Sequence, residues 1–92
     1  MNWDKVKVND VVLYISPEEP TDIMIGHITE IEYENIHISD IWEMDCGNME
    51  DMDEWVLSLG DDKLWFELVR VIDNIKDITA KDIQNKFPEY TL

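Results

Sequence analysis

The chain is short of the residues that would tie it to an oxidising compartment or a membrane. Its 92 residues include a single cysteine, Cys46, so no disulfide can close within it. A lone thiol is expected in a reducing cytoplasm, that of a host cell if the chain is phage-encoded. The opening residues Met1-Asn2-Trp3-Asp4-Lys5 lack the basic-then-apolar pattern of a signal peptide. No apolar run approaches the roughly 20 residues a membrane helix needs, and an acidic surface is repelled by anionic headgroups. With 3 Gly, 3 Pro and no linker-like stretch, residues 1–92 read as one acidic globular domain.

Positive charge is the second scarcity. Seven bases stand against 22 acids, giving a net charge of -15 and a pI near 4.1. The bases are Lys5, Lys7, Lys63, Arg70, Lys76, Lys81 and Lys86, so none falls between Val8 and Asp62. That 55-residue stretch holds 16 acids, and the rest of the chain sums to +1. Direct nucleic-acid binding is disfavoured, because affinity for phosphates comes from Lys and Arg. An acidic domain ordinarily intersperses Lys to relieve self-repulsion, and here that relief is missing.

What the chain does have is apolar surface: 45% hydrophobic residues and 10% aromatics, including four Trp. That is enough for a core and argues against an acidic disordered tail. A domain of this size hides only about 60–68% of its unfolded surface, which leaves little room for a deep substrate pocket.

The run Val11-Val12-Leu13-Tyr14-Ile15 is β-branched, aromatic and too short for an amphipathic helix; it reads as a strand entered through an Asn9-Asp10 bend. Pro17 to Asp22 is a loop. Residues 23–33 alternate, with Ile23, Ile25, His27, Thr29, Ile31 and Tyr33 on the buried side. Glu34-Asn35 is the expected two-residue turn, pairing Tyr33 with Ile36, Ile31 with Ile38, Glu32 with His37 and Glu30 with Ser39. Residues 43–54 are polar and aperiodic, a loop. Trp55 to Leu59 and Leu64 to Ile72 flank Gly60-Asp61-Asp62-Lys63 and suit a second hairpin, although a helix starting near Asp62 also fits the apolar spacing. Thr79 and Asp82 form a capping box, with Ile78 stapled to Ile83, so a helix is expected over about 80–87, ended by Pro88.

The stretches Val6-Lys7-Val8-Asn9-Asp10-Val11-Val12, Gly26-His27-Ile28-Thr29-Glu30-Ile31 and Ile36-His37-Ile38 resemble the opening of small SH3-like barrels. The resemblance covers about the first 40 residues and bears on fold alone. The expected class is α+β and mainly antiparallel β: a small SH3-like or partly open barrel or sheet with a short C-terminal helix.

Enzyme chemistry finds no constellation. Nucleophilic catalysis needs an activated side chain beside a base, and the two histidines fall on different strands, His27 as a packed core residue and His37 as a surface partner of Glu32. Carboxylates around Cys46 raise its pKa and blunt it as a nucleophile. The loop acids fail EF-hand spacing, because Gly47 precedes most of them, and one Cys with two separated His is a poor zinc set. No metal or cofactor is expected.

The acids remain. Glu30, Glu32 and Glu34 alternate along a strand, about 6.6 Å apart on one face, and form a carboxylate row of roughly half the phosphate density of one DNA strand. Glu18, Glu19 and Asp22 on one side, and Asp40, Glu43, Asp45, Glu50, Asp51, Asp53 and Glu54 with Asp61 and Asp62 on the other, extend it into a candidate partner-binding surface. Met44, Met49, Met52, Trp42 and Trp55 either add apolar anchors or plug the core beneath. The expected function is a non-enzymatic DNA mimic directed at a basic DNA- or RNA-binding protein of the host, whether nuclease, defence complex or transcription protein. In size and charge the chain is similar to the small anti-restriction and anti-CRISPR proteins of bacteriophages. The alternative is an immunity or antitoxin protein that neutralises one basic toxin.

Overall fold

The apolar run at Val11 becomes the middle of an antiparallel sheet. The computed structural model describes residues 5–18, 23–43, 47–48, 54–58, 60–61 and 63–91. In chain order its elements are strands β1 (Asp10–Ile15), β2 (Ile23–Ile31), β3 (Asn35–Glu43), β4 (Gly47–Asn48) and β5 (Glu54–Ser58), helix α1 (Lys63–Leu68), strand β6 (Arg70–Asn74), and helices α2 (Ala80–Lys86) and α3 (Pro88–Thr91). β4 and β5 both pair with β3, and the order then continues β3-β2-β1-β6. The expected small, mainly antiparallel α+β architecture is present. None of the described helices is long and apolar enough to cross a membrane.

β1 lies between β2 and β6 and is buried on both faces, which accounts for its unbroken apolar sequence. Val11 and Leu13 point to one face, where Ile23, Ile25, Ile41 and Trp42 meet Ile83 and Phe87. Val12 points to the other and joins Ile28, Ile36, Ile38, Leu57 and Val69. Asn9, with a positive φ of 76°, makes the bend before β1, a conformation Asn tolerates better than most residues.

Two bulges reshape the β2–β3 hairpin. Ile28 pairs with Ile38 and Glu30 with His37, so Thr29 is an extra residue and the parity of β2 reverses beyond it. Ile23 and Ile25 are buried in the first cluster as expected, Ile28 of the opposite parity is buried in the second, and Thr29, Ile31 and Tyr33 are exposed. The turn also moves by one residue. Ile31 pairs with Ile36 and the Glu32 N–H donates to the Asn35 carbonyl at 2.8 Å, so Tyr33-Glu34, not Glu34-Asn35, occupies the tip. A second bulge at Ile41 turns Ile41 and Trp42 toward the same core cluster.

The second hairpin does not form. β5 pairs with β3 and β6 with β1, at opposite sides of the sheet, and α1 occupies the start of the stretch read as a strand. Residues 63–74 thus divide between the two readings, helix first and strand second. The crossing brings Leu57 and Val69 into one cluster.

The C-terminal helix starts at its capping box. The Asp82 N–H donates to Thr79 Oγ1 at 3.3 Å, and the Thr79 N–H donates to Asp82 Oδ2 at 2.9 Å. Those hydrogen bonds hold the Asp82 carboxyl below its ordinary pKa of 3.8, so its contribution is present above that pH and lost as pH falls through the depressed value. Thr79→Ala is expected to cost about 0.5–2 kcal/mol in urea unfolding near neutral pH, with the difference shrinking in acid.

Candidate functional site

The acids of the hairpin and of β5 converge on one imidazole. Glu30 is the cross-strand partner of His37 on β2, and the bulge at Thr29 puts the two side chains on the same face. Glu32, at the rung that closes the hairpin, places Oε1 3.5 Å from His37 Nε2, an ion-pair distance too long for a hydrogen bond. From the other side of β3, Glu54 of β5 is hydrogen-bonded through Oε1 to His37 Nδ1. Glu30, Glu32 and His37 bring one polar atom each to within 4.8 Å of one another. Glu34 and Tyr33 stand at the adjacent turn, and Tyr33 is 91% exposed. The strands of this surface carry no Lys or Arg, and among the described residues the histidine that these carboxylates meet is His37.

The Glu54 hydrogen bond raises the His37 pKa above its ordinary 6.5; partial burial opposes it, and the Glu32 carboxylate adds to it. The proton is therefore bound more tightly in the folded chain. Below pH 6.5 the resulting stabilisation is fully present, and it is lost as pH rises through the raised folded value. Melting temperatures measured against pH for the parent chain and His37→Gln are expected to lie furthest apart in mild acid, converging as the imidazolium deprotonates.

The expected carboxylate row is partly rebuilt. Glu30, Glu32, Glu34 and Glu54 gather at one end of the sheet, but Glu34 belongs to the turn rather than to a straight strand. Glu43 is half-buried at the far end of β3, and Glu18 and Asp61 are exposed outside the strands. Asp40 is 3% exposed, because its partner Gly26 sits on the buried centre of β2; it belongs to the interior and not to a contact surface. Glu19, Asp22, Asp45, Glu50, Asp51, Asp53 and Asp62, with Cys46 and the three loop methionines, lie outside the described residues. Trp42 is buried and Trp55 packs on the second core cluster, so both serve the core. Strict alternation puts Tyr33 on the buried face, whereas the bulge and the shifted turn leave it an exposed aromatic amid the acids.

His27 is accounted for by structure. It is half-buried, and its Nε2–H donates to the Ile75 carbonyl at 2.7 Å. No protein-family model, curated protein or solved structure matches the chain.

Proposed function

We propose that the chain is a non-enzymatic inhibitor that mimics nucleic acid and occupies the basic binding surface of a nuclease or another DNA-binding protein. The observation that carries this reading is the meeting of Glu30, Glu32 and Glu54 around His37, with Glu34 alongside, on strands without a single Lys or Arg. Carboxylates in place of phosphates engage a partner's Arg and Lys, with fast association that weakens as salt rises. The class of function is that of the small acidic anti-defence proteins of bacteriophages. The finer fold reading, an SH3-like barrel, draws support from the return of β6 to the side of β1 after the β1-β2-β3-β5 meander.

Capture of partners from host lysate on the tagged chain, followed by elution with duplex DNA, tests the proposal. A nucleic-acid-binding protein released by DNA is the expected result. A partner that DNA fails to displace overturns mimicry. Tyr33 and the 46% exposed Val56 give the immunity-type reading its own support, since a few apolar anchors within an acidic rim suit one cognate toxin. In that case Tyr33→Ala removes more affinity than any single acid.

A further inference from the structure

At the β6 edge of the sheet the charge reverses. An open cavity of about 490 Å³ is lined by Lys5 and Lys7 from the start of the chain and by Arg70 of β6, with Val69 and Val71 as its apolar wall. Three of the seven bases thus meet here from segments more than sixty positions apart. Among the described residues no ion pair engages any of the three, although acids outnumber bases threefold. Among the described residues the one acid of the lining is Asp10, which is 5% exposed and committed to the fold. Its carboxylate accepts from the Lys7 N–H and from Asn74 Nδ2, each at 2.8 Å.

The frame beneath the cations is fixed before any ligand arrives. Asn74 Nδ2 also donates to the Val8 carbonyl at 3.2 Å, the Asn9 N–H donates to Ile28 at 2.9 Å, and the Ile75 N–H donates to Asn9 at 3.0 Å. Arg70 and Asn74 lie on either side of the bulge at which β6 shifts register against β1. A volume of this size falls within the roughly 300–1,000 Å³ range of small-molecule sites.

We propose that this cavity binds a small organic phosphate. Among the described residues of the lining, three cations against one carboxylate leave two net positive charges, matching the charge of a phosphate monoester, about -1.5 to -2 near neutral pH. The Arg70 guanidinium offers a planar fork to two phosphate oxygens, and Lys5 and Lys7 neutralise the remaining charge as point cations. Val71, 44% exposed, faces the carbon body of the ligand above the buried Val69. A nucleic-acid chain is disfavoured as occupant, since a polyanion reaching the cavity is repelled by the 16 acids of residues 8–62, whereas a small anion fits inside. The site stands apart from the acidic hairpin and does not depend on its role.

Two-dimensional NMR titration of the full chain with adenosine monophosphate, inorganic phosphate and citrate, at ionic strength held constant with sodium chloride, tests the assignment. Saturable shifts confined to the amides of Lys7, Arg70, Val71 and Asn74 are expected, with the nucleotide binding more tightly than inorganic phosphate. Arg70→Gln is expected to weaken nucleotide binding about tenfold or more, as loss of a charge-assisted contact requires. Both Arg70 and Lys7 are exposed, so Lys7→Gln serves as a second variant should the first fail to fold. Shifts that fail to saturate, or binding unchanged in both variants, overturn the site. Citrate binding as tightly as the nucleotide overturns the phosphate assignment, and inorganic phosphate doing so overturns the role of the apolar wall.

Discussion

Gly26→Ala is expected to destabilise the chain by about 1–3 kcal/mol, and Ile38→Ala by about 2–5 kcal/mol, yet the two together by clearly less than their sum. A Cβ on Gly26 meets Ile38 Cγ2 at 2.4 Å, with the Ser39 carbonyl and Trp55 Cζ2 both at 3.4 Å. Ile38 is fully buried, and its Cγ2 is a branch on Cβ rather than the tip of a flexible chain, so it has nowhere to move. The small residue is required by close packing between β2, β3 and the Trp55 ring. Ile38→Ala removes the clashing methyl and opens the space a new Cβ at position 26 then fills. A chain of 92 residues carries roughly 5–14 kcal/mol of stability, so either single change removes a large part of it. Urea unfolding of the four species measures the coupling. Strict additivity would show that the cost of Gly26→Ala lies elsewhere than in this contact.

Such contacts mark what local sequence reading reaches and what it does not. β1 and the capped α2 are legible because their causes lie within a few residues: an apolar run in one, and the reciprocal Thr79–Asp82 hydrogen bonds in the other. The β2–β3 pairing was legible as a hairpin, but not in register. One inserted residue at Thr29 reverses the faces of everything beyond it, and strict alternation has no means of seeing an insertion in a single strand. The fate of residues 55–74 depends on which edge of the sheet each strand finds. α1 carries the chain from the β3 side to the β1 side, and Leu57 and Val69 end in one buried cluster.

The same division holds for charge. The absence of bases between Val8 and Asp62 was visible at once, because it is a count. Convergence of Glu54 on His37 was not, since they sit on strands whose pairing was read differently. Asp40 shows the opposite failure: acidic in sequence, it is interior in the fold because the register sets it beside Gly26. The basic cavity joins residues 5 and 7 to residue 70 only because β6 lies along β1.

Reversing Glu30, Glu32 and Glu34 together to Lys is expected to cut affinity for a nucleic-acid-binding partner by about a hundredfold or more, because like charges brought into contact cost several kcal/mol. The substitution moves the net charge from -15 to -9, so loss of bulk attraction alone would also weaken binding. A control with Glu67, Asp77 and Glu89 reversed makes the same change at exposed positions off the hairpin and off β5. If the arrangement around His37 is what the partner grips, the control loses only a few-fold through weaker steering while the hairpin variant loses nearly all binding. Equal losses would assign the effect to net charge without geometry, and unchanged binding by the hairpin variant would remove this end of the sheet from the interface. The three glutamates are exposed, so the fold should survive, but the new ammonium groups lie beside the imidazole. Binding is therefore best compared above the titration of His37, where the ring is neutral and the reversed charges act on the partner rather than on the hairpin itself.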